Sequence, residues 1–360
     1  MSTSMLIFLL TAGIIADGEF QGKSLCKEHP KNVILMIGDG MGLAQIYAGM
    51  TANHGHLNIE KCKYVGLSKT HSATDYVTDS GAGATAIATG KKTYNNAISV
   101  GIDTLPLKTI LEIAEENGLS TGLIATSSIV HATPAAFIAH QKHRNMYEEI
   151  AAEFINSGID LFIGGGRQYF ENRDDSINLT DSLRKRGYQI AYDTSELKKL
   201  EAGKIAALLA ENHLPGVSEG RGNMLTLAVD VAVRDLPANN NGFFLMVEGS
   251  QIDWACHDLD TNDIILEMLD FDKAVGKALE FATRDKNTLV IVTADHETSG
   301  IALTGGDLKT GRVEMKFAND KHTGIPVPVF AYGPGAESFA GFYENTDIFH
   351  KMMQLFGFTH

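Results

Sequence analysis

Basic residues are in short supply. The chain has 30 Lys and Arg against 44 Asp and Glu, a net charge of −14. That balance argues against a nucleic-acid or anionic-membrane partner, either of which favours a basic face. It leaves a phosphate substrate open, because a local cluster of cations overrides the global field. A hydrophobic run long enough to span a bilayer is also missing. The N-terminal run MLIFLLTAGIIA, residues 5–16, has the length of a signal-peptide core, although no Lys or Arg precedes it. It reads as an export signal with cleavage near Ala16, or as a buried N-terminal strand or helix. Cysteine is scarce. Cys26, Cys62 and Cys256 match no zinc-finger or CxxC spacing and suit either one disulfide with a spare thiol or three reduced thiols. Proline is rare, 8 against 36 glycines, which leaves loops entropically loose and predicts modest thermal stability and activity in the cold. There is no low-complexity tract and no internal repeat, so the 360 residues read as an ordered globular chain.

Apolar runs of strand length are plentiful: NVILMIG (32–38), TGLIAT (121–126), DLFIGGG (160–166), GFFLMV (242–247), TLVIVTA (288–294) and PVPVFAYG (326–333). They are continuous rather than alternating, as in strands buried on both faces of a parallel sheet. Amphipathic stretches separate them. LKTILEIAEENG (107–118) closes on Gly118, and residues 263–284 form a long helical pattern. The β-α-β-α order predicts an α/β fold, a central and largely parallel sheet between helical layers. Residues 170–222 are more polar and read as peripheral helices and loops, with no linker that divides domains.

Ligands of such sheets bind beyond the carboxyl ends of the strands. Here those ends are acidic. NVILMIG runs into Asp39, GFFLMV into Glu248, and TLVIVTA into Asp295 and His296. A lone strand-end acid usually caps the next helix. Three on one edge would repel one another and are costly to desolvate, a conflict that a divalent metal resolves. Asp253 and His257 are four apart and share a face if helical. His322, which alone would read as a surface-loop histidine, supplies a third ligand. Asp and His without thiolate suit catalytic zinc, and Glu, Asp and a hydroxyl suit magnesium.

Ser80 lies in VTDSGAGATAIATG (77–90) with no Lys, Arg or His within five residues. A serine is a poor nucleophile until its proton is removed. A divalent metal on its oxygen does that without a histidine base. The small residues that follow let a helix start close to the sheet and turn its N-terminus toward an anion. Tight helix–sheet packing alone would also account for them.

Together, GDGMG with Asp39, TDSGAGATA with Ser80, HATPA at 131–135, EGSQIDWACHD, TADHETSG and HTG at 322–324 resemble the alkaline phosphatase family, in the family's order, from about residue 31 onward. The short insertions are similar to those of the compact bacterial members. The resemblance implies a three-layer α/β/α sandwich, with residues 1–22 a signal peptide or disordered tail and 23–360 one catalytic domain. It implies a phosphomonoesterase of broad specificity with two zinc ions and one magnesium ion, periplasmic or secreted, and a homodimer. Ser80 would form a phosphoserine. Asp253, His257 and His322 would hold one zinc, Asp39, Asp295 and His296 the other, and Asp39, Thr133 and Glu248 the magnesium. Arg144, in HQKHRNMYEE, would clamp phosphate through its planar fork; by its local sequence alone it reads as a surface residue on a helix.

Two positions depart from one branch of the family. His131 stands where that branch has aspartate, and Trp254 where it has lysine. His131 would touch the magnesium site directly or through water. Trp254 would face substrate without a charged contact, by packing or by one indole hydrogen bond. Cys256 reads as a small core residue, with thiolate ligation of zinc as the alternative. The closest rival reading is a phosphodiesterase or another member of the same metalloenzyme superfamily. A sulfatase is disfavoured because residues 79–83 lack its Cys/Ser-x-Pro-x-Arg signature. A non-catalytic phosphate or metal binder would lack one of the chemical residues, and none is missing.

Overall fold

Strand β1 (Asn32–Gly38) forms because an unbroken apolar run can bury both of its faces. All seven of its residues are buried. Val33, Leu35 and Ile37 join one core, while Ile34 and Met36 join the other. A computed structural model describes residues 29–358. The N-terminal run and Cys26 lie outside the described residues.

The remaining strands are β2 (Tyr64–Lys69), β3 (Ser120–Ser128), β4 (Leu161–Gly165), β5 (Gln189–Ala191), β6 (Ile205–Leu208), β7 (Phe243–Gly249), β8 (Thr288–Thr293), β9 (Glu297–Thr298), β10 (Ala302–Asp307), β11 (Arg312–Lys316), β12 (His322–Thr323), β13 (Val327–Tyr332) and β14 (Gly341–Glu344). Nine of them join β1 in one ten-stranded sheet, in the order β14-β2-β13-β8-β1-β7-β3-β4-β6-β5. Only β13 runs against the rest. Helices Ser80–Thr89, Ile110–Glu116 and Thr346–Phe356 pack on one face of the sheet; Leu43–Ala52, Met224–Asp235 and Thr261–Asp285 pack on the other. The fold is therefore the expected α/β sandwich around a mostly parallel sheet. Among the described residues, no helix is long and apolar enough to cross a membrane.

Helix ends follow local chemistry. Thr109 and Glu112 form a capping box at the start of Ile110–Glu116, and Gly118 takes the positive φ that ends it. One expectation needs correction. Residues 170–222 are not only peripheral helices and loops, because β5 and β6 extend the main sheet. All four residues of β6, IAAL, are buried between β4 and β5. The strand is short and half alanine, so its burial comes from its neighbours and not from a strong strand signal of its own.

Candidate active site

The register of the central strands aligns the acids. Ile37 of β1 lies opposite Glu248 of β7 and Thr293 of β8. Asp39, Glu248 and Asp295 therefore leave adjacent strands at one edge. Next to β7, β3 ends at Ser128, and the chain turns through His131 into the helical turn Ala132–Ala135 that carries Thr133. The helix Gln251–His257 follows β7 directly and brings Asp253, Trp254 and His257. The short antiparallel pair β12–β9 sets His322 opposite Thr298, beside His296. Gly40 takes a positive φ where a Cβ would stand 2.9 Å from the Asp253 backbone, so the GDG turn can pass under that helix.

These placements make two adjoining groups. Asp39, Asp295 and His296 present ligand atoms within 4.8 Å of one another, and so do Asp253, His296 and His322. His257 joins the second group, with Nε2 3.3 Å from Asp253 Oδ2 and 3.2 Å from His322 Nε2. All three histidines commit Nδ1 elsewhere: His257 to Asp320 O (2.6 Å), His322 to Thr78 O (2.9 Å) and His296 to Thr298 Oγ1 (3.3 Å). Hydrogen bonds to carbonyls at Nδ1 fix the proton there and leave Nε2 as a ligand lone pair.

Ser80 opens the helix Ser80–Thr89 and is 2% exposed. Its Oγ lies 3.3 Å from Nε2 of His296, the side chain common to both groups. The helix approaches the sheet closely because Gly83 has no Cβ to meet Asp295 O at 3.0 Å. Asp79 caps that helix by accepting from Ala82 N–H, and it accepts from Asn96 N–H as well. Its other oxygen takes Arg144 Nη1 at 2.8 Å, while Arg144 Nη2 lies 3.3 Å from His131 Nε2. Arg144 is thus no surface helix residue. It precedes the helix Tyr147–Glu153, and its side chain is only 17% exposed. Backbone bonds from Arg144 N to Asn96 O and between Gln141 and Ile98 hold its loop against the start of the site.

Burial works against the acids. It pushes the Asp39 carboxyl well above its ordinary range, with Asp295 and Asp253 adding repulsion. It raises Asp295 to about 8, with help from Asp253 and Glu248, and Glu248 to about 7 against the hydroxyl of Ser250. Asp253 goes the other way: burial would raise it, but the hydrogen bond it shares with His257, together with the neighbouring histidine rings, outweighs that and holds it below its ordinary range. Several oxygens make no aligned hydrogen bond although buried: both of Asp39, Asp295 Oδ2, Glu248 Oε1 and Thr133 Oγ1. The Arg144 guanidinium, which only partly offsets the rise of Asp39 and Glu248, is already engaged by Asp79. Buried acids that lack donors and a counter-charge fit divalent cations, and these residues fit that role.

A sequence profile of the alkaline phosphatase family matches residues 30–313 and 304–358. The chain belongs to the alkaline phosphatase family. Alkaline phosphatase 4 of Bacillus subtilis (strain 168) is 36% identical over 432 residues, covering 95% of this chain and 93% of that protein. The alkaline phosphatase of Escherichia coli (strain K12) is 33% identical over 412 residues, covering 93% and 88%. Among solved structures, the alkaline phosphatase from the Antarctic bacterium TAB5 matches with a TM-score of 0.87 and 44% identity, over 92% of this chain and 99% of that one. A variant of that enzyme with magnesium bound in its M3 site has the same TM-score at 43% identity.

As an alkaline phosphatase, the chain brings together the residues that its motifs single out, and adds some that they do not. Asp79 positions Arg144, Thr298 bonds to both Asp253 and His296, and Ser127 and Ser250 donate to Glu248 Oε2. Asp79 and Thr298 lie inside the quoted motifs, so their neighbours are the signal. His213 is a further case. Its ring meets those of Trp254 and His131. It follows the carboxyl end of β6, a signal hidden because β6 itself does not read as a strand. Cys256 is fully buried in the same core as Cys62, and among the described residues neither forms a disulfide.

Proposed function

We propose that the chain hydrolyses phosphomonoesters of broad range through a phosphoserine at Ser80, with two zinc ions and one magnesium ion. The observation that carries this reading is the place of Ser80. Its Oγ touches His296, the side chain shared by both ligand groups, and the Arg144 guanidinium is held nearby by the residue just before it. Asp253, His257 and His322 would hold one zinc, Asp39, Asp295 and His296 the second, and Asp39, Thr133 and Glu248 the magnesium, with His131 beside it. When bound, the ions would supply fixed positive charge that lowers the pKa of an oxygen nucleophile and offsets charge on phosphate.

The chain's own residues do the rest. Ser80 Oγ bonds to phosphorus as the ester P–O bond breaks and the alcohol leaves with a proton. Water then attacks phosphorus, the P–Oγ bond breaks, and phosphate departs. Arg144 presents its fork to two nonbridging oxygens, oriented by Asp79 and by His131 Nε2. Trp254 lines the same side. Recognition falls on the phosphoryl group, which supports a broad range of leaving alcohols.

The same reading takes residues 23–360 as one catalytic domain, and includes export, a homodimer and work in the cold. The apolar run at 5–16 supports export, and the ratio of 36 glycines to 8 prolines supports the last. The deciding experiment hydrolyses a chromogenic phosphomonoester beside the matching diester at alkaline pH, before and after chelation and after return of zinc and magnesium. Strong monoesterase activity that is lost and restored with the ions, with phosphate trapped on Ser80 by acid quench, is expected. Preference for the diester would move the chain to a sister activity. Full turnover by a chelated sample would refute the metal dependence.

A further inference from the structure

The sole tryptophan of the chain, Trp254, stands between two histidine rings. His213 meets it edge-to-face with centroids 4.7 Å apart, and His131 does so at 5.8 Å. The two histidines are themselves perpendicular at 5.5 Å, so three rings close on one another. His131 is also the ring whose Nε2 faces Arg144 Nη2 at 3.3 Å.

The loop that carries His213 is fastened at several points. Ser128 N–H donates to His213 Nδ1 at 3.1 Å, and Ser128 O accepts from His131 N–H at 2.9 Å, so one residue of β3 places both rings. With Nδ1 accepting, the neutral His213 ring carries its proton on Nε2. Leu214 O accepts from Gln251 Nε2, which donates to Thr126 O as well; Gln251 begins the helix that bears Trp254. Val217 N–H donates to Glu267, the partner of buried Arg221. The IGGG run allows the close approach, since a Cβ on Gly165 would stand 2.1 Å from Asn212 O. This loop is far more constrained than a connection after a short strand needs to be.

We propose that His213 is a positioning residue of the phosphate clamp. It fixes the Trp254 ring, and with it the His131 ring that orients Arg144. The proposal rests on the phosphomonoesterase reading above. Edge-to-face contacts are directional, so removing the His213 ring frees Trp254 to rotate into the gap and loosens His131 against the guanidinium.

The test compares the wild type with His213→Ala, His213→Phe and His213→Asn. Phe keeps an aromatic edge but cannot accept from Ser128 N–H; Asn can accept but has no ring. The readouts are KM and kcat on a phosphomonoester, the inhibition constant of inorganic phosphate, and the emission spectrum of the single tryptophan. His213→Ala is expected to raise KM and the phosphate inhibition constant by about three- to tenfold, the scale of one lost aromatic contact. Its kcat should change less, and its emission should move to the red. His213→Phe should recover both properties better than His213→Asn, and that pair carries the test if the alanine variant fails to fold. Unchanged emission and unchanged phosphate inhibition in His213→Ala, or a phenylalanine variant no better than the asparagine one, would overturn the proposal. Phosphate titrated against the emission needs no turnover. A wild type that binds phosphate without hydrolysing monoesters would thus sink the functional reading while the variants still decide the role of His213.

Discussion

Two of the places where the molecule buries charge are treated differently. Around Arg221, the guanidinium is 1% exposed and pairs with Glu267 and with Asp270 at 2.9 Å, while the Val217 amide donates to Glu267 as well. Every acid there meets a cation supplied by the chain. At the edge of β8, β1, β7 and β3, Asp39, Glu248, Asp253 and Asp295 are all nearly or fully buried, and the nearby arginine is taken by Asp79. One cluster is closed by the chain itself. The other leaves Asp39, Glu248 and Asp295 without a cation of their own, and fits cations from outside. A buried cluster balanced internally is a structural joint, whereas an unbalanced one marks where the protein meets its ions and substrate.

The largest effect should come from the unbalanced side. Ser80→Ala is expected to lower kcat on a phosphomonoester by more than about 10³-fold, since the nucleophile carries the covalent step. Zinc should still raise the melting midpoint of that variant, because Ser80 is not needed to gather the acids. Retention of more than a tenth of wild-type turnover would remove the serine from the mechanism.

A paired experiment on stability can break the comparison outright. Arg221→Met leaves Glu267 and Asp270 buried without their cation and should cost about 3–5 kcal/mol. Asp295→Asn removes one of several mutually repelling acids. In chelated protein it should cost nothing or add stability, although zinc no longer stabilises the variant fully. Urea unfolding with and without chelator measures both. If the asparagine variant loses as much as the methionine variant without ions, the acids at the sheet edge are balanced by something within the chain, and the distinction fails.

Between these two effects lies Arg144. Replacing it with alanine should lower kcat/KM by about 10²–10³-fold, the range for removing one preorganised donor to developing charge. Lysine should restore only part of this loss, because a point charge cannot span both Asp79 and a phosphate oxygen. Steady-state kinetics on the two variants decide the matter, and equal rates for lysine and arginine would show that charge alone suffices.

The unbalanced cluster was also the more legible of the two. Apolar runs that end abruptly in acids can be read directly, since no strand core tolerates such residues without a purpose. The fold class followed from the same runs. Arg144 was legible only through the family resemblance and not from its local sequence, because its place depends on backbone bonds to Asn96 and on the Gln141–Ile98 pair, which no helical period announces. His213 was hidden for a related reason. It follows β6, whose IAAL is buried by neighbouring strands more than by its own composition. The balanced Arg221 cluster joins residues more than forty apart, and nothing in EGRGN or in the long helix marks them as partners.

A third charged cluster shows what happens when the internal cation can itself be removed. His140 lies 3.4 Å from Glu112 and 3.3 Å from Glu153, and ties the capped start of Ile110–Glu116 to the segment leading to Arg144. Burial alone would lower the His140 pKa, but the hydrogen bonds its ring donates to the two glutamates outweigh it and raise it to about 10. Against the upward pull of burial, the imidazolium in turn holds both carboxyls below their ordinary range. The sign follows from linkage. The histidine contributes fully below its unfolded pKa of about 6.5 and loses its contribution as pH rises through the folded value; the glutamates contribute above about 4.3 and lose theirs in acid. This cluster is therefore strongest between those two values and weakens toward alkaline pH. The loss should be on the order of 1 kcal/mol, since the pairs are partly solvent-screened. His140→Gln should flatten the fall in stability between about pH 7 and pH 10, the interval set by those pKa values, leaving Arg221→Met with its full penalty throughout. Urea midpoints across that range measure the difference. An unchanged slope in the glutamine variant would mean that His140 is already neutral in the folded chain, and that this cluster has no internal cation comparable to Arg221.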